Sequence, residues 1–160
     1  MNSRKKICIV SSLLLVLLSP LTSQPLTKKQ FAKAIQEADI FFYYDEDYQK
    51  AAAQYQYLLN MFPDNSNLAS KLGICCLNID GRNKEALTLL EKASHNIVTN
   101  DNEYTEYGEK ASLDTYLYRA IAYHRNDSLE KAIVLFTDAK KRLAGTELFK
   151  DEYIDNQIRD

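Results

Sequence analysis

Side-chain chemistry begins with thiols, imidazoles and carboxyls, and this chain is poor in the first two. It has three cysteines, Cys8, Cys75 and Cys76, and two histidines, His95 and His124. Adjacent cysteines cannot tie distant segments together through each other, and a vicinal disulfide is strained. A redox or metal pair needs a longer spacing or nearby imidazoles. Cys75 and Cys76 are therefore expected to be buried thiols in a helix. Neither histidine lies in a His-Glu-x-x-His motif, and no Gly-x-Ser-x-Gly elbow is present. Carboxylates are numerous and an acid–base pair needs no local motif, but these fall on what read as solvated helix faces. Gly73, Gly81, Gly108 and Gly145 never come two within three residues, which excludes the dinucleotide fingerprint and the Walker-type loop. No catalytic residue, metal or cofactor is assigned, and the chain reads as a non-enzyme. Asn126-Asp127-Ser128 matches a glycosylation acceptor, but a capped turn explains it fully.

The elements that position these residues are helical. The 160 residues include 4 Gly and 3 Pro, about 4% together against roughly 12% in average usage, so tight turns are scarce. Met1 to Lys6 carries Arg4, Lys5 and Lys6, and Ile7 to Leu18 is an uncharged, mostly apolar run. As a helix that run spans only about 18 Å, short of a hydrocarbon core of roughly 30 Å, so residues 1–23 read as a signal peptide, with cleavage placed after Ser23. Cys8 precedes the apolar run, where a lipid-attachment cysteine follows it, so no lipid anchor is expected. Without the leader the balance moves from 20 basic and 22 acidic groups to 17 and 22. Nucleic acid and anionic membrane surfaces are thus poor partners, and the chain is expected to be periplasmic or secreted.

Beyond the leader the sequence repeats. Ala51-Tyr55-Leu58, Ala86-Leu90-Ala93 and Ala132-Phe136-Ala139 share an i, i+4, i+7 spacing that places each set on one helix face. Ahead of each lies a second stripe: Ile35-Ala38-Phe42, Ala69-Leu72-Gly73-Cys76 and Tyr116-Ala120-Tyr123. The anchor alanines are separated by 35 and then 46 positions, as a repeat of about 34 with one insertion requires. Thr27 to Gln30 has capping-box spacing. Asp45-Glu46-Asp47, Asp80 to Asn83 and Asn126 to Ser128 supply polar material at the three intra-repeat turns, where short side chains can cap the next helix. Phe149, Tyr153, Ile154 and Ile158 give 147–158 the apolar face of a seventh, capping helix.

These stripes resemble tetratricopeptide repeats, whose first helix carries a large residue, Leu-Gly and Tyr, and whose second carries Ala, an aromatic and Pro. Phe42, Ala51, Tyr55 and Pro63 match in the first unit, where Ala38-Asp39 replaces Leu-Gly; Leu72-Gly73, Ala86 and Leu90 match in the second; Tyr116, Tyr123, Ala132 and Phe136 match in the third. The resemblance implies an all-α fold: a right-handed superhelical array of antiparallel helix pairs. Its repeats lie at about 31–65, 66–95 and 112–145 within a domain of 27–160, with an insertion at 95–111. Lys71 to Asn78 and Glu109 to Asp114, leading to Ala122-Tyr123-His124, are also similar to the N-terminal repeat region of exported envelope proteins of Gram-negative bacteria. Those proteins continue into a β-propeller and an OmpA-like peptidoglycan-binding domain, and some belong to a secretion or gliding apparatus.

What the resemblance implies is an interaction scaffold of the cell envelope that binds a protein segment along its concave groove. In the family pattern the groove positions fall on Gln36, Ile40, Tyr43 and Tyr44; on Ser70, Ile74, Leu77 and Asn78; and on Leu117, Ile121, His124 and Arg125. A register shifted by one position instead makes Ile40, Ile74 and Ile121 core residues. Tyr104 and Tyr107, among the acidic residues of the insertion, form either a contact patch or part of a solvated extension of a helix. Two other readings stay open: a truncated N-terminal module of a peptidoglycan-anchored OmpA-like protein, and a small helical glycan-binding protein or hydrolase.

Overall fold

The computed structural model describes residues 26–146 and 154–156. The leader, the cleavage site and most of the capping segment at 147–158 lie outside them. Within them the helices are α1 (Lys28–Tyr43), α2 (Tyr48–Met61), α3 (Ser66–Leu77), α4 (Asn83–Ala93), α5 (Thr115–His124) and α6 (Leu129–Leu143), with one short 3-10 turn at Asp101–Glu103. Residues 154–156 are helical; Ile154 is buried and Lys140 Nζ lies 2.6 Å from Asp155 Oδ1.

The helices pair as the spacing requires, α1 with α2, α3 with α4 and α5 with α6, and successive pairs stack through α2 on α3 and α4 on α5. All nine anchor residues of the second helices are buried, from Ala51, Tyr55 and Leu58 to Ala132, Phe136 and Ala139. Small side chains recur there because the helices approach closely. At Gly73 the fit is tight: a β-carbon would stand 2.8 Å from Leu90 Cγ and 3.4 Å from Leu89 Cβ. Cys75 and Cys76 are both buried and unpaired.

The ends of the helices follow local chemistry in part. Thr27 and Gln30 form the reciprocal capping box, with Thr27 Oγ1 accepting from the Gln30 amide and Gln30 Oε1 accepting from the Thr27 amide. Asp47 caps α2 by accepting from the Lys50 amide at 3.0 Å. The other two turns depart from expectation: Arg82 and Ser128 precede α4 and α6 without a capping side-chain bond. Arg82 instead forms a bidentate pair with Glu85 (2.8 and 2.6 Å). The Asn126 amide donates to Asn83 O at 2.9 Å and Ala122 O at 2.7 Å, which ties the third unit to the second.

Candidate functional site

α1, α3 and α5 line the inner face of the array, and their C-terminal halves enclose an open cleft of about 430 Å3. Ile74, Leu77 and Ile121, all nearly buried, make its floor. Phe42, Tyr43, Tyr48 and Tyr118 supply aromatic surface, and Glu46, Asn78 and Arg125 complete the lining. The aromatic side is prearranged, since Phe42 meets Tyr43, Tyr48 and Tyr55 edge-on with centroids 4.7, 5.7 and 6.2 Å away. The Arg125 guanidinium donates to the Leu77 carbonyl at the C-terminal end of α3, where the helix dipole favours a cation. The Asn78 amide donates to Ile74 O at 2.9 Å.

Six of the twelve residues singled out in the sequence thus share one cleft: Tyr43, Ile74, Leu77, Asn78, Ile121 and Arg125. Ile74 and Ile121 satisfy both registers, since they are nearly buried yet floor the cleft. Ile40, at 45% exposure, is not a core residue. Gln36 and Tyr44 are exposed on and just after α1, apart from the cleft. Two positions are corrections. Leu117 is fully buried in the core, and Ser70 is buried with its hydroxyl 2.8 Å from that of Thr115, so neither is available to a partner. His124 also turns away, its half-buried ring meeting Phe136 of α6 edge-on at 6.4 Å.

Beside the cleft, the same face is polar and covered. Asp39 is 5% and Lys71 4% exposed, and Lys71 Nζ lies 2.6 Å from Asp39 Oδ1. The Tyr55 hydroxyl donates to the same oxygen. Burial, and then the bond to Asp39, push the Tyr55 phenol well above its ordinary pKa. Asp39 holds the place in the first unit that Gly73 holds in the second, as Tyr55 matches Leu90. A hydrogen bond across α1 and α2 therefore stands where α3 and α4 make an apolar contact. Half-buried Asp114, accepting from Ser112, completes the cluster ahead of α5, and desolvation raises its carboxyl pKa. The replacement of Leu-Gly by Ala38-Asp39 was the one sequence signal for this cluster. Nothing local marked Asn67, Lys71 or Asp114.

The insertion does not extend a helix. α4 ends at Ala93, and the segment returns as a packed loop pinned at its base by Val98 N–H to Ala111 O (3.0 Å) and Ala111 N–H to Asn96 O (2.9 Å). Val98 and Ala111 are buried. Glu103 ties the loop internally, accepting from the Thr99 hydroxyl at 2.7 Å and pairing with Lys110 at 3.4 Å.

Thiols and imidazoles do not converge on either half of this face. Among the described residues no group of three His, Cys, Asp or Glu side chains is placed to hold a metal ion, and no helix is long and apolar enough to cross a membrane.

Stacked antiparallel pairs with an inner face of first helices define a tetratricopeptide-type helical array, and solved structures bear out that fold. The chain is similar to the TPR2B domain of yeast Sti1, from its complex with pHsp70 (16% identity, 81% of this chain, 93% of that one, TM-score 0.61). It is similar also to SycD, the type III secretion translocator chaperone of Yersinia enterocolitica (15% identity, 84% of each chain, TM-score 0.64). A third likeness is to the first TPR of Spaghetti (RPAP3), bound to the HSP90 peptide SRMEEVD (16% identity, 84% of this chain, 94% of that one, TM-score 0.57). No protein-family profile matches the chain, and no curated protein matches it in sequence.

Proposed function

We propose that this protein is an exported scaffold of the bacterial cell envelope that holds a segment of a partner protein against its concave face and performs no catalysis itself. The observation that carries the reading is the cleft: three successive units contribute Tyr43, Ile74 with Asn78, and Ile121 with Arg125 to one surface. Exposed aromatic groups with an arginine beside an apolar floor are the usual composition of a binding hot spot, and a groove between helices suits an extended or helical segment. Two of the structurally similar domains are described with a bound partner, pHsp70 for the Sti1 domain and the HSP90 peptide for the RPAP3 domain, which favours a peptide segment as the occupant. Export rests on the Arg4–Lys6 cluster and the apolar run after it, and the envelope assignment on the resemblance to exported repeat proteins.

The test is recovery of a partner from envelope extract by the tagged mature chain. The pair Tyr43→Ala/Arg125→Ala is expected to lower recovery about tenfold or more, as loss of hot-spot contacts does. Tyr44→Ala/Tyr57→Ala, outside the cleft, is expected to leave it unchanged. Equal loss in both variants, or in neither, removes the cleft as the binding site. Export is checked separately, by fractionation and by sequencing of the mature amino terminus, which is expected at Gln24.

A further inference from the structure

The first helices of the outer units are only partly buried: Ile35, Ala38 and Asp39 in α1, and half of the residues of α5. α3 differs, for all twelve of its residues are buried, Asn67 and Lys71 among them. Neighbouring helices account for the apolar positions. The insertion accounts for Asn67, whose amide N–H donates to Glu109 O at 3.1 Å and whose side chain donates to Glu106 O at 2.9 Å and Gly108 O at 3.4 Å. Asn65 also donates to Gly108 O, at 3.4 Å, and the Tyr104 hydroxyl donates to Asn67 Oδ1 at 3.4 Å. A tight turn delivers these carbonyls: Gly108 N–H donates to Thr105 O at 2.8 Å, and a β-carbon at Gly108 would stand 2.4 Å from Thr105 Oγ1. A main chain gripped through its carbonyls by asparagine side chains is how an extended ligand is held in a groove.

We propose that residues 104–109 are a built-in ligand of the concave face, held there by Asn65 and Asn67, and that a partner reaches the whole groove only by displacing them. This rests on the groove reading above and adds the occupant of its polar half. An incoming segment needs the chemistry it replaces, backbone carbonyls for the two asparagines and a carboxyl or carboxamide for Asp39 and Lys71.

The Glu106 carboxyl makes the latch proton-dependent. Asp39 across from Glu106 first, then burial, raises the Glu106 pKa against the opposing pull of Lys71. Asp39 Oδ2 finds no donor in the structure, and a proton on Glu106 supplies one. The groups around the pair are Tyr43 on α1, Tyr55 on α2, Lys71 on α3, Tyr104 in the loop and Asp114 ahead of α5. A carboxyl whose pKa is raised in the closed state stabilises closure below its free value, about 4.3 for Glu, and that contribution is lost as pH rises through the raised value. The loop is thus held more firmly in acid than at neutral pH.

Hydrogen exchange of residues 102–110 in the mature chain, expressed as protection relative to intrinsic rates, tests the latch from about pH 4 to about pH 8. Protection is expected to fall across this range by about tenfold for each unit by which the Glu106 pKa is raised. In Glu106→Gln, which keeps a donor and no charge, it is expected to stay flat and high. A second arm replaces residues 100–110 with a Gly/Ser linker and adds a labelled peptide of residues 99–111. The linker variant is expected to bind the peptide, and the parent to bind it at least about tenfold more weakly because its site is filled. A pH-independent parent loop, or a linker variant of normal helix content that ignores the peptide, overturns the proposal. Partner binding with the loop still protected would also overturn it while leaving the groove reading intact, whereas pH-dependent protection and peptide capture without any partner would support the latch alone.

Discussion

At the scale of single residues, the Asp39–Lys71 pair is the most consequential contact. Both side chains are almost out of water, at 7% and 5% exposure, so neither tolerates loss of the other. Removing one member of a buried ion pair costs about 3–5 kcal/mol, chiefly because the survivor stays charged and unpaired. Lys71→Met is expected to lose that much in urea unfolding. Asp39→Asn/Lys71→Met, which keeps an acceptor for the Tyr55 hydroxyl and no lone charge, is expected to recover most of it. The two thiols give an independent prediction. Burial pushes the Cys75 thiol up to about 12, with Cys76 adding to it, and Cys76 itself up to about 11. Thiolates are the reactive form, so both cysteines are expected to resist an aromatic disulfide reagent near pH 8 in the native protein and to react at once in denaturant. Rapid reaction of the folded chain would show that the α3 surface opens.

At the scale of elements, the crossing of α3 and α4 depends on Gly73. Alanine is the better helix former by about 1 kcal/mol, yet its methyl would press on Leu90 Cγ, part of a fully buried side chain. Overpacking of that kind costs about 1–3 kcal/mol, so Gly73→Ala is expected to be destabilising overall by chemical denaturation. A rise in stability would mean that the two helices separate at little cost. Asn65 acts twice, capping α3 through the Leu68 amide at 2.9 Å and gripping the loop at Gly108. Replacement by Asp keeps the cap and removes the grip. Asn65→Asp is therefore expected to preserve the melting temperature within a few degrees while lowering exchange protection in residues 104–109, and Asn65→Ala to lose about 1 kcal/mol as well.

At the scale of the whole molecule, stability is expected to be graded along the array. Each unit contacts its neighbours, and the middle one has two. α3 is buried throughout, whereas α1 and α6 bury only part of one face. Amide exchange in α3 is expected to be slowest, near the rate set by global unfolding, and exchange in α1 faster. Equal protection in all six helices would instead indicate one all-or-none unit.

The array was legible in the sequence because its determinants are local. The i, i+4, i+7 alanines, the Thr27–Gln30 box and the aromatic partners of each alanine act within a turn or two of helix, so the chain order of residue types fixes helix, face and pairing. The same logic reached six of the ten residues lining the cleft, since Tyr43, Ile74, Leu77, Asn78, Ile121 and Arg125 fall at family positions. Ser70 and Leu117 failed because they occupy equivalent positions where a neighbouring helix, not solvent, stands opposite. The Asp39–Lys71 pair and the grip of Asn65 and Asn67 on residues 106–109 join segments some 30 to 40 positions apart. No periodicity encodes such contacts, because they depend on where the loop lands once the helices have stacked. The sequence by itself determined that these helices form and pair, since that is decided by the spacing of apolar groups along each one. Only the tertiary structure decided that the inner face has an open aromatic half and a covered polar half, because burial and hydrogen bonding across that face are properties of the assembled array.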